Sequence, residues 1–338
     1  KKSGHLDKFS ELIFDVTSEN RDYAIKPMSC PGHIQVYNQG LKSYKDLPIK
    51  LAEFGLVHRN EPSGTLHGLM RIRAFTQDDA HIFCTPDQIE EEIKILIDNI
   101  YNIYKTFGFT DIKIELSTRP DQKVGSEAIW DKAEDALKAA LDSKSIKWQL
   151  NTGDGAFYGP KIDFSLKDSL DRVWQLGTIQ LDFSMPTRLD ANYINDNGDK
   201  TPPVMIHRAI LGSLERFIGI LIEEHGGNLP LWLSPVQAVI LNITESQNDY
   251  CSKIRNKLAK SSIRTEIDLR NEKISYKIRE HSVKRIPYMI VVGDKEVENK
   301  KISIRTRDGD DIGIMDVDKF IKMVETLVKD YSNLLKTE

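Results

Sequence analysis

Long apolar runs are missing from this 338-residue chain, and so is an apolar leader at its start, KKSGHLDKF. The first absence excludes a protein anchored by bilayer-crossing helices, and the second excludes a secretory signal at this end. Cysteine is scarce: Cys30, Cys84 and Cys251 have no disulfide-like spacing, which excludes a disulfide-stapled scaffold and points to a reducing, cytoplasmic location. Repeats and low-complexity tracts are also lacking, so neither a solenoid nor a disordered tail is expected. The start carries no initiator Met and reads as the cut end of a longer polypeptide. What remains, 40% hydrophobic and 29% charged, is enough for two or three packed domains.

A strong basic excess is absent as well, since the formal net charge is −4. That argues against a nucleic-acid partner only until the chain is divided. From Pro235 onward there are 20 Lys/Arg against 17 Asp/Glu, a balance of +3, and the remainder carries −7. Six basic residues fall within Arg270–Arg285, against Glu272 and Glu280. A solvated helix face accounts for that cluster as well as RNA does.

Taken in order, TSENRDYAIKPMSCPGHIQVY places Cys30 in a turn before a short helix at 33–38. Leu51–Val57 leads into alternating polar and apolar residues on both sides of a loop at 62–68, the pattern of a long antiparallel hairpin over 54–83. Thr85-Pro86-Asp87-Gln88 is a helix start with a capping Thr, and Ile89, Ile93, Leu96, Ile97 and Ile100 follow on one face. Asp111–Ser117 alternates as a strand, Ser126–Leu141 reads as a second amphipathic helix, and three strand-like runs fill 148–183. The sum is a large antiparallel sheet with helices on one side. Ala191–Lys200 reads as a polar loop. Leu229–Pro235 reads as a linker, and beyond it strands and helices alternate as a compact α/β unit with parallel strands. These are strands at 236–243, 264–268, 287–292 and 302–307 and helices at 246–260, 273–284 and 316–335.

Two stretches carry chemistry. His207–Gly227, HRAILGSLERFIGILIEEHGG, has Ile210, Leu214, Phe217, Ile218 and Leu221 at steps of three and four, which suggests one helix with a buried stripe. Gly212, Glu215 and Arg216 near its start are costly to bury without partners. A core helix with an internal salt bridge is the simplest reading of that stretch alone. The second is the hairpin itself, with Arg59-Asn60-Glu61, Arg71 and Phe75 around its loop. A local metal reading would take Cys30 and His33, spaced C-x-x-H, with His58, although a lone C-x-x-H is more often no metal site at all.

Together these stretches resemble the class II aminoacyl-tRNA synthetases: Arg59-Asn60-Glu61, Arg71 and Phe75 follow their motif 2, and Gly212-x-x-Glu215-Arg216 follows motif 3. MSCPGH (28–33), HRNEPSG (58–64), RAFTQDDAHIF (73–83) and FYGPKIDF (157–164) are similar to the threonyl-tRNA synthetases in particular. The resemblance runs from about Gly4 to the end. It implies an α+β antiparallel-sheet class II core over 1–230, lacking its N-terminal portion, and an α/β anticodon-binding domain with a mixed sheet over 231–338. Motif 1, which helps form the family's dimer interface, and any editing domain are expected upstream of Gly4.

The implied activity is threonine–tRNA ligation: ATP activates L-threonine, and the threonyl group passes to the 3′-terminal adenosine of tRNA(Thr). Arginines suit such a site because their planar fork matches phosphate and carboxylate and keeps its charge. The resemblance assigns Arg59, Arg71 and Arg216 to catalysis, and Arg59, Glu61, Arg71, Phe75, Gln175 and Arg216 to ATP, which brings Mg2+. It assigns Met28, Gln77, Asp79, Tyr158, Lys161 and Gln180 to the amino acid, with Asp79 accepting the threonine hydroxyl and Asp78 structural. One Zn2+ per subunit falls to Cys30, His81 and His207, a triad that no spacing rule yields. A thiolate and two imidazoles leave an open position, as a substrate-binding metal requires. A site built around a hydroxyl rejects valine strongly, while serine is the harder competitor.

Asn271, Lys273, Arg285, Glu296 and Arg305 match positions facing the anticodon, where single-stranded bases are read by edge hydrogen bonds and stacking. For the transfer step a substrate phosphate or His5 stands open as the base. Ala74 stands where this group more often carries glycine. The implied partners are tRNA(Thr), ATP and L-threonine, with a homodimer through the core and no membrane. Two other readings stay open: a regulator or tRNA-binding accessory protein that has lost catalysis, and a prolyl or seryl relative. The retained arginines and the Cys30/His81/His207 set weigh against both.

Overall fold

The computed structural model describes residues 1–144 and 146–335. The last three positions of the expected second domain therefore lie outside the described residues. Two compact units divide at Leu221/Ile222.

The first unit is built on a seven-stranded sheet. Its strands are β1 (Ile49–His58), β2 (Ala74–Cys84), β3 (Lys113–Ser117), β4 (Gln149–Asn151), β5 (Lys161–Lys167), β6 (Val173–Asp182) and β7 (Val204–Ser213). They lie in the order β1-β2-β7-β6-β5-β3-β4, antiparallel except for the last pair. The expected antiparallel sheet is borne out, and β1–β2 is the long hairpin.

Strand periodicity sorts the side chains by face. Ile162 and Phe164 on β5 and Ile179 and Leu181 on β6 are buried on one face. Over β6, α2 (Ile89–Thr106) and α3 (Glu127–Ser143) pack on the sheet and on each other; α1 (Cys30–Tyr37) precedes β1. Ile93, Ile97, Ile100 and Tyr104 of α2 and Trp130, Ala133 and Leu137 of α3 are buried at helical spacing. Each such aliphatic side chain contributes roughly 1.5–3 kcal/mol on leaving water. The α2 start forms as its residues dictate: Thr85 N–H donates to Gln88 Oε1 at 3.0 Å, closing a capping box.

Three local expectations change. Residues 204–213 continue as strand β7, and the helix α4 (Leu214–Glu224) starts only at Leu214. A strand buried on both faces is continuously apolar, so Ile210 and Leu214 matched a helical step by coincidence. Ile218 is correspondingly exposed. Cys30 is the first residue of α1 rather than part of a preceding turn. In the segment read as a polar loop, Tyr193–Ile194 and Lys200–Thr201 pair as a small hairpin, with Ala191 and Tyr193 buried.

In the second unit β8 (Ala238–Asn242), β9 (Thr265–Asp268), β10 (Tyr288–Val292), β11 (Lys301–Thr306) and β12 (Asp311–Asp316) form a sheet in the order β9-β8-β10-β11-β12. β9, β8 and β10 are parallel, and β11 and β12 are antiparallel, the mixed sheet that the resemblance implies. The helices are α5 (Asn248–Lys260), α6 (Ile274–Val283), α7 (Asp294–Asn299) and α8 (Val317–Lys329). Ala238 and Ile240 face a core shared with α5 and α8, while Val239 and Leu241 face Ile274 and Ile278 of α6. Helix α7 and strand β12 went unread because DKEVEN and DIGIMD are too short and polar to carry a periodic signal.

Candidate active site and metal centre

The cleft of the first unit is the sheet face opposite α2 and α3. Alternation on β2 puts Phe75, Gln77, Asp79 and His81 on that face, and Ala209 and His207 of β7 stand in register with Asp79 and His81. Gln180 on β6 pairs with His207 on β7 and with Lys161 on β5, and Thr178 pairs with Asp163. A bulge at Leu176 turns Gln175 onto the same face as Thr178 and Gln180. Gly177 beside the bulge leaves room for α2, because a Cβ there would meet Tyr104 Oη at 2.8 Å.

Two cavities open along this face. One of about 480 Å³ is lined by Met28, Cys30, Arg59, Gln77, Asp79, Tyr158, Lys161, Gln180 and His207 among others. One of about 180 Å³ is lined by Glu61, Arg71, Phe75 and Arg216. Arg59, Gln77, Gln175, Thr178 and Gln180 border both, so the two are halves of one cleft. Every residue expected to touch ATP or the amino acid lines it.

At the inner end of the larger half, Cys30, His81 and His207 are buried, and their ligand atoms lie within 4.8 Å of one another. His81 Nε2 and His207 Nδ1 face each other at 3.0 Å. Each ring is held from behind. His207 Nε2 is 3.0 Å from Asp182 Oδ2, and His81 Nδ1 is 2.6 Å from His33 Nδ1, whose far nitrogen lies 3.4 Å from Glu53 Oε1. Burial, with His207 and His33 beside it, keeps His81 well below its ordinary pKa and so a neutral imidazole. The donor set, its enclosure and its rear hydrogen bonds suit a zinc-type ion. His33 stands behind the cluster, so the local Cys30/His33/His58 set does not assemble.

At the outer end three guanidiniums converge. Arg216 Nε donates to Met70 O and Nη1 to Gln175 O, both at 2.7 Å, and its guanidinium lies 5.5 Å from the Trp174 ring. Arg59 lies 5.2 Å from the Phe75 ring. Burial, together with repulsion from Arg71 and Arg59, lowers Arg216 to about 10. Cations packed this closely make a well for an anion. Glu215 takes no part in the well: both its oxygens accept the Thr76 backbone N–H at 3.0 Å.

Four further residues shape the site: Asp78, expected to be structural, His5, open as the base for transfer, and Asp182 and Thr178, which went unread in the sequence. The β7–β2 register shifts between Ala209 and Ser213, and Asp78 gathers this bulge, its Oδ2 accepting the N–H groups of Ile210 and Leu211 at 2.9 and 3.0 Å. Asp182 and Thr178 carried no motif, although each sits at an alternate position of β6. His5 is buried behind Met28, its Nε2 3.2 Å from Met28 Sδ, and lines a neighbouring cavity of about 320 Å³. Burial lowers it to about 4.

In the second unit Asn271, Lys273 and Glu296 follow the carboxyl ends of β9 and β10, where open α/β sheets bind ligands. Arg285 precedes the opposite end of β10, and Arg305 pairs with Met289 nearer that end. The five are therefore spread along the unit. Glu296 Oε2 accepts the Gly293 N–H at 2.9 Å, capping its own helix. The basic cluster also shrinks: Lys277 is fully buried, donating to Asn242 Oδ1 at 2.6 Å, and Arg270 pairs with Asp268 and Glu280. Among the described residues no helix is long and apolar enough to cross a membrane.

The family model described as tRNA synthetase class II core domain (G, H, P, S and T) matches residues 14–225, and the anticodon binding domain model matches 237–327. The chain is 62% identical over 326 residues to a threonine–tRNA ligase of Alkalilimnicola ehrlichii, covering 96% of this chain and 51% of that protein. It thus spans about half the length of the curated relatives it matches. Among solved structures it is similar to the RNA binding domain of threonyl-tRNA synthetase from Cryptosporidium parvum Iowa II. There the TM-score is 0.92 at 44% identity, covering 96% of this chain and 82% of the other. A putative threonyl-tRNA synthetase, ThrRS-1, from Aeropyrum pernix gives a TM-score of 0.82 at 28% identity, covering 99% and 81%.

Proposed function

This chain belongs to the threonyl-tRNA synthetase family of class II aminoacyl-tRNA synthetases, and on that premise we propose that it activates L-threonine with ATP and transfers it to tRNA(Thr). The observation that carries this reading is the enclosed Cys30/His81/His207 cluster beside Asp79, opening onto an arginine-lined cleft.

Arg59 and Arg216 hold the α- and γ-phosphates, with Arg71 beside them, and Phe75 and Glu61 receive the adenine. Holding both anions in one cleft brings the threonine carboxylate to the α-phosphorus, and diphosphate leaves; Mg2+ arriving with ATP would offset its charge. Cys30, His81 and His207 would hold a zinc ion, which would supply a Lewis acid for the threonine amino group and hydroxyl. Asp79 accepts the hydroxyl proton, and Met28, Gln77, Tyr158, Lys161 and Gln180 orient the rest of the amino acid. The 3′-hydroxyl of the terminal adenosine then attacks the mixed anhydride and releases AMP. Asn271, Lys273, Arg285, Glu296 and Arg305 face the anticodon, whose single-stranded bases are read by edge hydrogen bonds and stacking while lysine contacts phosphate. The catalytic domain is taken as 1–230 and the anticodon-binding domain as 231–338. The protein acts as a homodimer in the cytoplasm, consistent with the three buried free cysteines.

The test is amino-acid-dependent ATP–diphosphate exchange on the intact protein with threonine, serine, valine and proline, with and without a chelator. Threonine-dependent exchange that is silent with valine and lost with the metal supports the reading. Exchange with proline overturns it, and a folded protein that binds tRNA without any exchange is an accessory protein.

A further inference from the structure

Asp163 lies on β5 against Gln175 and Thr178, which line both halves of the cleft, and has no part in the proposed chemistry. Its carboxyl is buried and meets four donors. Oδ1 accepts from Gln175 Nε2 and, at 3.2 Å, from Thr178 Oγ1. Oδ2 accepts from Ser117 Oγ at 3.0 Å and pairs with Lys161 Nζ at 2.9 Å. Four donors around one carboxyl are the surroundings of an ionised group, which can only accept.

That restriction propagates outward. Thr178 spends its single proton on Asp163, so its oxygen accepts from Gln180 Nε2 at 3.2 Å. The Gln180 amide is thereby turned with Oε1 toward Tyr158, whose hydroxyl donates to it. The Tyr158 oxygen therefore faces the cavity with lone pairs only. On the other side Gln175 has given a side-chain N–H to Asp163, which turns its side-chain Oε1 toward a ligand. A carboxylate that touches neither substrate thus sets which atoms both halves present.

We propose that Asp163 is a positioning residue that fixes the hydrogen-bond polarity of the cleft wall. The wall then reads donors: an amino N–H of the amino acid at Tyr158 and a hydroxyl or amine of the nucleotide at Gln175. This deepens the proposed function and rests on it. One carboxylate couples the two substrate sites through two separate branches, Thr178–Gln180–Tyr158 and Gln175.

The branches make the proposal testable by ATP–diphosphate exchange on the intact, zinc-loaded protein, with both KM values measured. Asp163→Asn has the same shape but turns an NH2 toward two of the four donors, and it is expected to raise KM for threonine and for ATP by roughly tenfold each. Thr178→Val cuts only the Tyr158 branch, so KM for threonine rises at least fivefold more than KM for ATP. Loss of fold alone lowers the active fraction and zinc content and leaves both KM values in place. The proposal is overturned by an Asp163→Asn protein with both KM values within twofold of the parent, or by Thr178→Val moving the two equally. Absence of threonine-dependent exchange in the parent protein overturns the functional reading instead.

Discussion

His33 Nδ1 lies 2.6 Å from His81 Nδ1, on the side of the ring turned away from His207. Glu53 stands 3.4 Å behind His33, so a carboxylate–imidazole pair backs the ring proposed to hold zinc. Such rear partners fix tautomer and orientation, and their loss typically weakens metal binding by roughly 10–100-fold. His33→Ala is expected to lose zinc within that range while its melting temperature, measured with zinc in excess, stays near the parent. Chelator competition reads the affinity directly. An unchanged affinity shows that His33 only fills space.

The converging arginines lead to a second expectation. Arg59→Lys keeps a charge but loses the planar fork that spans two phosphate oxygens. Diphosphate exchange should fall by about 10²–10³, the cost of removing one preorganised donor from a transition-state charge. Threonine binding to the nucleotide-free protein, measured by calorimetry, should change little. Equal loss of both places Arg59 in the fold rather than in phosphate chemistry.

The proposed function assigns discrimination to Asp79. It is buried, on the same face of β2 as Gln77 and His81, and its carboxylate takes a hydrogen bond from the Ser29 side chain. A site built to accept a substrate hydroxyl loses its advantage once the acceptor is gone. Asp79→Ala should lower kcat/KM for threonine by about 10² or more while activation of valine stays at its low level. A preserved threonine-to-valine ratio would falsify the role.

How much of this site was legible depends on what kind of signal each residue left. Phe75, Gln77, Asp79 and His81 share a face by strand alternation, which is local and readable. The metal cluster joins one helix start to two strands, since Cys30 opens α1 while His81 and His207 pair across β2 and β7. Only sheet order brings those together, and sheet order is not in any spacing. The short-range pair Cys30 and His33 was visible but misleading, because a helix turn sends His33 behind His81. Asp163 was unreadable for another reason: IDFSL is an ordinary buried strand until Thr178 and Gln175 are known to lie beside it.

Gly159 of the FYGPKIDF stretch is explained by packing. A Cβ built there would sit 1.8 Å from the Leu181 carbonyl oxygen, a contact that only backbone movement can relieve. Gly159→Ala should destabilise the first unit by roughly 3 kcal/mol or more, at the severe end of overpacking. The control is Gly64→Ala, which meets nothing within 4 Å. Denaturant unfolding followed by tryptophan fluorescence separates the two, and equal midpoints would refute the clash.

The last expectation concerns acid. In the second unit Asp268 accepts from Arg270 Nε at 2.9 Å and from Nη2 at 2.7 Å, and its Oδ2 lies 2.9 Å from His281 Nε2. The Arg270 hydrogen bonds, opposed by burial and aided by His281, hold this carboxyl well below the usual range. A depressed folded-state pKa stabilises the native state above the unfolded value, about 3.9, and that contribution is lost as the pH falls below it. Arg270 is half exposed, so solvent screens the pair and its contribution is modest. Asp268→Asn should therefore weaken the unit at pH 7 and flatten its decline between roughly pH 4 and pH 2. Hydrogen exchange at β8 and β9 amides isolates this unit from the other. If the variant keeps the parent's slope in acid, the carboxylate is not what the acid titrates.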